Sequence, residues 1–301
     1  MVLLSHDYIG RFAPSPSGPL HFGSLVCALA SFLDAKHHRG NWLVRIEDID
    51  PPREDPAHTT TILAQLRRHG LNWDGAVLYQ SQQLKDYRQV LSDLRARKLT
   101  YTCDCNRKRI AQLGGIYDGH CQALNLTADN RAVRLKLSPE TTSCVVAIED
   151  QVMGRFLQNL EREVGDFVLR RRDGLYSYQL ASVIDDHRQG ITHVVRGSDL
   201  LSSTPRQRYL QECLGYSATN YAHLPLVVDA QGKKLSKQNH AAPLSDAAPS
   251  MTIWQALNWL QQAPPTSLLG APVEQLLDWG KAHWKLARVP KTSQQLGPIH
   301  R

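Results

Sequence analysis

Apolar side chains at Leu25, Val26, Leu29, Phe32 and Leu33 recur at helical spacing and predict a helix from Ser24 to His38, closed by Gly40. Short apolar runs flank it. Tyr8-Ile9-Gly10-Arg11-Phe12 and Trp42-Leu43-Val44-Arg45-Ile46 read as buried strands, the second followed by a loop at Glu47-Asp48-Ile49-Asp50. Asp55-Pro56 supplies a cap and a first-turn proline for a helix running to His69 and stopped by Gly70. Leu84, Tyr87, Leu91 and Leu94 mark another helix. Alternation of this kind predicts a Rossmann-type α/β domain, a parallel sheet with helices packed on its faces.

The texture changes between about Thr100 and Gly165, where short alternating segments such as Val133-Arg134-Leu135-Lys136-Leu137 replace long helices. An inserted module is expected there. Helix and strand then resume at Ser177 to Arg188, with Gly190 behind it, and at Thr192-His193-Val194-Val195-Arg196. Thr204-Pro205-Arg206-Gln207 has the form of a capping box opening a further helix. Leu224-Pro225-Leu226-Val227-Val228 reads as one more strand. Beyond Pro243 a polar linker precedes short helices near Ile253–Gln262 and Val273–Trp284, and the tail after Ala287 is expected to be loose. Trp254, Trp259, Trp279 and Trp284 are expected to pack those helices on the sheet. The expected division is 1–99 and 166–242 for the two halves of the catalytic domain, 100–165 for the insertion and 243–301 for a short helical C-terminal part.

No apolar run approaches the length that crosses a bilayer, and the N-terminus lacks the basic, apolar and cleavage regions of an export signal. A cytoplasmic protein is expected, probing no membrane. The formal charge of +7 suits a polyanionic partner equally with a merely basic surface. Six cysteines in such a compartment argue against a disulfide framework. Cys103, Cys105 and Cys121 gather within nineteen residues and point to one tetrahedral zinc, with Tyr117 or His120 as the fourth ligand. The metal would be structural, bracing a module with little core of its own. Cys27, Cys144 and Cys213 read as small buried hydrophobes.

Two segments carry the chemistry. Pro16-Ser17-Gly18-Pro19-Leu20-His21-Phe22-Gly23-Ser24 sits on a strand-to-helix turn, which aims backbone N–H groups and a positive helix end at one point. Gly18 and Gly23 let backbone approach a ligand, and His21 adds an imidazole donor. Much later Lys233-Lys234-Leu235-Ser236-Lys237 places cations and a hydroxyl on one loop behind an apolar strand. Arg11 and Arg196 can each offer a planar fork to a carboxylate, and Glu47 can receive an ammonium, a set that fits glutamate better than glutamine. Asp185-Asp186-His187 reads as a solvated helix end.

In order and each behind a strand, the two segments resemble the HIGH and KMSKS motifs of class I aminoacyl-tRNA synthetases. Ser24 departs from the pattern, which ends in a second histidine. Arg11-Phe12-Ala13-Pro14-Ser15-Pro16-Ser17-Gly18, Arg45-Ile46-Glu47-Asp48 and the run from Val194 to Gln207 narrow the resemblance to glutamyl- and glutaminyl-tRNA synthetases, from Tyr8 to about Asn239. It implies that Gly18, His21, Gly23, Lys234, Ser236 and Lys237 bind ATP with its Mg²⁺, and that His21 and Lys237 stabilise charge on the reacting phosphates. It implies further that Ala13, Ser15 and Tyr178 line the amino acid pocket with Arg11, Glu47 and Arg196, the last meeting the side-chain carboxylate.

Sixty-four residues follow Lys237, room for a short helical part but not for a large anticodon-binding region. In this the chain resembles the truncated paralogues of glutamyl-tRNA synthetase that attach glutamate to the queuosine base of tRNA(Asp). Those relatives use tyrosine in the zinc site, which implies Tyr117 as the fourth ligand. ATP, L-glutamate and queuosine-bearing tRNA(Asp) are the implied partners of a monomer that activates glutamate without tRNA. The alternatives are a minimal glutamyl-tRNA synthetase charging tRNA(Glu), and a catalytically silent relic that binds RNA.

Overall fold

The computed structural model describes residues 8–127, 130–138, 142–235, 244 and 248–297. Ser236 and Lys237 of the expected ATP site lie outside the described residues. Strands β1 (Ile9–Phe12) and β2 (Asn41–Ile46) are joined by α1 (Phe22–His37), and α2 (Pro56–Arg68) leads on to β3 (Leu78–Tyr79) and α3 (Leu84–Ala96). Asp55 caps α2 by accepting a 2.8 Å bond from the Ala57 N–H, as the Asp-Pro pair predicts. β4 (Thr100–Cys103), α4 (Arg107–Gln112) and β5 (Ala132–Leu135) follow, then the hairpin β6 (Val145–Asp150) and β7 (Gly154–Asn159), and α5 (Leu160–Glu163). β8 (Val168–Arg170), α6 (Tyr178–Arg188), β9 (His193–Gly197), α7 (Thr204–Leu214), β10 (Asn220–Leu224) and β11 (Leu226–Val228) lead to α8 (Pro249–Trp259), α9 (Val273–His283) and β12 (Gln294–Leu296).

The central sheet has seven strands in the order β3-β2-β1-β9-β10-β6-β7, parallel except for β7. Chain order reverses between β1 and β9, so loops leaving their carboxyl ends diverge and open a crevice. Within the expected insertion the strands divide between two sheets. Hairpin β6–β7 extends the central sheet through Tyr221 and Asp150, whereas β4, which ends at Cys103, joins β5 and β8 in a separate three-stranded sheet.

α1 lies at the centre of one core, its Leu25, Leu29 and Leu33 fully buried against the sheet and against α8 and α9. Trp259 and Trp284 are buried there, and Trp254 and Trp279 pack half-buried at the margin. The Trp284 indole donates a 2.8 Å bond to Asp34 on α1, which the Tyr8 hydroxyl also reaches. A second core lies under α6, α7 and the β6–β7 hairpin and contains Cys144 and Cys213.

Two expectations fail here. The tail is not loose: β12 pairs in parallel with β11, Val289 is buried, and the Trp259 indole donates 2.8 Å to the Leu296 carbonyl. Polar Gln294 and Gln295 hid that strand, because backbone bonding to β11 and not an apolar face holds it. Nor do Thr204 and Gln207 form a capping box, since Thr204 is already inside α7 and Ser203 stands at the cap with no side-chain bond. The chain enters α7 directly from a 3₁₀ turn over Ser198–Ser203, so the Thr204 N–H meets the Leu201 carbonyl and needs no side-chain cap.

Candidate functional site

The crevice at the carboxyl ends of β1, β2, β9 and β10 holds a cavity of about 560 Å³. Arg11, Ala13 and Ser15 enter it from β1 and its loop, Glu47 from the end of β2, Tyr178 from the start of α6 and Arg196 from β9. His21, Gly23 and Lys234 line the same space, so the two distant motifs meet. Gly18 is buried in the turn behind and does not line it. Cys27, expected as plain core, borders the cavity half-buried.

His21 occupies the N-cap of α1 and its Nδ1 accepts from the Ser24 N–H at 3.3 Å. With Nδ1 as acceptor, the neutral ring carries its proton on Nε2. A Cβ on Gly23 would stand 3.1–3.2 Å from the His21 ring, so glycine there keeps the imidazole in place. The lysine loop is shaped by its own backbone: Asp229 N bonds Lys233 O at 2.9 Å and Leu235 N bonds Val227 O at 2.8 Å. Lys234 is held 2.6 Å from Asp199 beside β9.

Behind the cavity Asp185 and Asp186 are buried, contrary to a solvated helix end, and Asp186 touches the lining residue Arg11. Asp186 Oδ1 accepts from Arg45 Nη1 at 2.7 Å and from Arg11 Nε at 3.2 Å. Asp185 Oδ2 accepts from Tyr87 and Gln80, each at 2.7 Å, with Arg45 Nε 4.0 Å away. Arg45 Nη2 reaches Glu47 Oε1 at 3.5 Å. The helix has turned its last acidic pair inward because two guanidiniums, one in each of β1 and β2, wait there to receive it. Burial pushes the Asp186 carboxyl up, but Arg11 and Arg45 outweigh it and leave it below the ordinary range. Glu47 and Asp185 go the other way: burial raises both, and Arg45 offsets it only in part. Three carboxylates thus face two guanidiniums, an arrangement that favours an incoming ammonium beside Glu47.

Arg45, Asp185 and Asp186 were not among the expected site residues. The one signal for Arg45 is a charged side chain within the apolar run Trp42–Ile46, which burial cannot tolerate without partners. Arg196 stands apart from this network. Its Nη1 donates to the Tyr178 hydroxyl at 3.0 Å, Nη2 to Thr204 Oγ1 at 2.8 Å and Nε to His223 Nε2 at 3.0 Å. A second cavity of about 440 Å³ adjoins, lined by Asp48, Ser81, Leu84, Arg88, Arg170 and Tyr176. Glu47 and Asp48 are consecutive and face the two cavities.

In the small sheet, the sulfurs of Cys103, Cys105 and Cys121 lie within 4.8 Å of one another. The Tyr117 hydroxyl is 3.5 Å from Cys103 Sγ and 3.9 Å from Cys105 Sγ, and His120 is exposed. Tetrahedral bonds of about 2.3 Å to sulfur and about 2.0 Å to oxygen require ligand separations of about 3.5–3.8 Å. The donor set fits zinc. Gly165, at φ +71°, allows the chain to pass Tyr117, whose carbonyl would lie 2.2 Å from any Cβ.

Residues 9–248 match the family described as tRNA synthetases class I (E and Q), catalytic domain. A Glutamyl-Q tRNA(Asp) synthetase of Pseudomonas fluorescens is 52% identical over 96% of this chain and 95% of its own length. The protein of that name from Pectobacterium atrosepticum is 50% identical over 95% and 88%. Among solved structures, a glutamate tRNA ligase from Elizabethkingia meningosepticum in complex with its amino acid superposes with a TM-score of 0.79 at 24% identity, covering 97% of this chain and 67% of that one. The glutamate-tRNA synthetase of Elizabethkingia anophelis gives 0.77 at 25%, covering 95% and 67%.

Removing Arg45 would take a cation from three buried carboxylates, leaving Asp186 with Arg11 and Asp185 with Tyr87 and Gln80. Arg45→Met is expected to lower unfolding free energy by about 3–5 kcal/mol, read from chemical denaturation at pH 7. A loss below about 1 kcal/mol would show that the network does not depend on this guanidinium.

Proposed function

Because the chain belongs to the class I family of glutamyl- and glutaminyl-tRNA synthetases, we propose that it activates L-glutamate with ATP, without tRNA, and transfers it to the queuosine base in the anticodon of tRNA(Asp). Membership itself makes the chain an ATP-dependent, glutamate-activating tRNA ligase, and class I synthetases use ATP with Mg²⁺. One observation carries the choice of acceptor: half the residues are shared with proteins named for that reaction along almost their whole length.

In the first step the glutamate α-carboxylate attacks the α-phosphorus in line, forming glutamyl-adenylate as pyrophosphate leaves. His21 Nε2–H, the start of α1 and Lys234 would meet charge growing on the phosphates, with Ser236 and Lys237 joining from the same loop. Gly23 would leave room for the nucleotide, with Gly18 in the turn behind it. Glu47 would hold the ammonium, Arg11 the α-carboxylate and Arg196, with Tyr178, the side-chain carboxylate, while Ala13 and Ser15 close the pocket. Mg²⁺ arriving with ATP supplies further charge neutralisation. In the second step a hydroxyl of the queuosine diol attacks the acyl carbon, forming an ester and releasing AMP. The adjoining cavity beside Asp48, with Tyr176 for a ring and Arg88 and Arg170 for phosphates, supports an approach of the nucleoside from that side.

We assign Cys103, Cys105, Cys121 and Tyr117 as ligands of one structural zinc, the chain 1–99 and 166–242 as the catalytic halves around the zinc-bearing 100–165, and 243–301 as a helical C-terminal part. The protein is proposed to act as a cytoplasmic monomer; among the described residues no helix is long and apolar enough to cross a membrane.

Labelled glutamate with ATP and Mg²⁺ is expected to label tRNA(Asp) carrying queuosine and neither unmodified tRNA(Asp) nor tRNA(Glu). Label on tRNA(Glu) alone would identify a minimal glutamyl-tRNA synthetase, and none on any tRNA a silent relic. Glu47 must be ionised to take the ammonium, and burial raises its pKa, so the glutamate KM in tRNA-free pyrophosphate exchange should rise as pH falls through that raised value, by about tenfold per unit below it. Glu47→Gln should raise the KM at neutral pH and remove this acid limb. Metal analysis should find one zinc per chain. Cys121→Ser and Tyr117→Phe should lose it faster to a chelator and His120→Ala should not; the reverse order would make His120 the ligand.

A further inference from the structure

Behind Arg196 stand two side chains that touch none of the cavity. Asp150 ends β6 and His223 lies on β10, in register with Arg196 on β9, and both side chains are fully shielded from solvent. His223 Nδ1 is 2.6 Å from Asp150 Oδ2, and its Nε2 is 3.0 Å from Arg196 Nε. A guanidinium can only donate, so Nε2 must present its lone pair and Nδ1 must carry the proton. Asp150 is fixed in turn: Oδ1 accepts from the N–H groups of Val152 at 3.0 Å, Met153 at 2.8 Å and His223 at 3.1 Å.

We infer that Asp150 and His223 form a positioning pair that locks the Arg196 guanidinium toward the cavity and thereby sets selectivity for a side-chain carboxylate over an amide. The inference rests on the reading that Arg196 meets that carboxylate. With Nε turned to His223 and Nη2 to Thr204, the plane of the fork cannot rotate, and Nη1 stays beside Tyr178 at the cavity wall. Tyr178 accepts from Nη1 and so has its own O–H to give, which sets two donors side by side: a carboxylate can accept from both, whereas an amide has one acceptor and its NH₂ meets the second donor. Burial and the neighbouring guanidinium hold His223 below its ordinary pKa, so the ring stays neutral. Asp150 stays ionised, because bonds from His223 and backbone outweigh its burial, and it balances Arg196 across that ring.

The pair can be tested through its tautomer. In Asp150→Asn the carbonyl oxygen would remain with the three backbone N–H groups, leaving the NH₂ to face Nδ1. The imidazole proton would move to Nε2 and confront Arg196 Nε–H. In tRNA-free pyrophosphate exchange, Asp150→Asn and His223→Leu should raise the glutamate KM by about 10–100-fold, with the ATP KM within about twofold and a smaller preference for glutamate over glutamine. His223→Gln, whose amide can donate to Asp150 and accept from Arg196, should restore most of the loss. An unchanged glutamate KM in a folded Asp150→Asn protein would overturn the inference. Arg196→Lys separates it from its premise: if that variant too leaves the glutamate KM unchanged, the assignment of Arg196 fails first. Independently of activity, ¹⁵N NMR of His223 in the unaltered protein should show the neutral Nδ1–H tautomer at pH 7. An Nε2–H tautomer or an imidazolium would overturn the pair even if every variant failed to fold.

Discussion

Asp186 lies where two halves of the chain meet, and its carboxylate is shared by Arg11 of β1 and Arg45 of β2. The sheet reverses its chain order beside this point, between β1 and β9, so α6 must descend close to strands that precede it by well over a hundred residues. Burial alone would make each of these charges costly, and each is tolerated because the others are present. That mutual dependence fixes the depth of α6 against the sheet. It thereby fixes Tyr178 at the helix start and Arg11 at the cavity wall.

The C-terminal segments act on the same frame from the opposite side. α8 and α9 cover α1, the helix that starts at His21, and Trp284 reaches Asp34 in its interior. From α8 the Trp259 indole holds the Leu296 carbonyl, and the strand at that position pairs with β11, from which the lysine loop springs. The positions of His21 and Lys234 are thus tied through one packed unit, although more than two hundred residues separate them.

What could be read from the chain was whatever is local. The helix from Phe22, the Asp55 cap and the strand before Glu47 follow from apolar spacing and turn chemistry within a few residues. Arg11, Glu47 and Arg196, placed on or just after strands, and His21, at a helix start, were legible as candidates from residue type and place, and all four line one cavity. Asp185 and Asp186 were misjudged because a helix-terminal acidic pair looks alike in solvent and in a core. Only the distant Arg11 and Arg45 decide between those settings. Thr204 misled in the same way, its hydroxyl being taken up by Arg196 rather than by its own helix. β12 was missed because its partner, β11, contributes backbone and leaves no side-chain pattern.

The two ends of the cavity handle positive charge differently. At one end Arg11 and Arg45 meet carboxylates directly, and burial, which Arg45 offsets only in part, makes Glu47 and Asp185 hold their protons more tightly than usual. At the other, no carboxylate among the described residues pairs with Arg196, and its counter-charge on Asp150 is set back behind a neutral imidazole. Distance weakens that compensation, so Arg196 keeps more of its field for whatever enters the cavity. The pocket is therefore polarised along its length, attracting a cation beside Glu47 and an anion beside Arg196. A ligand with an ammonium at one end and a carboxylate on its side chain can answer both only in one orientation.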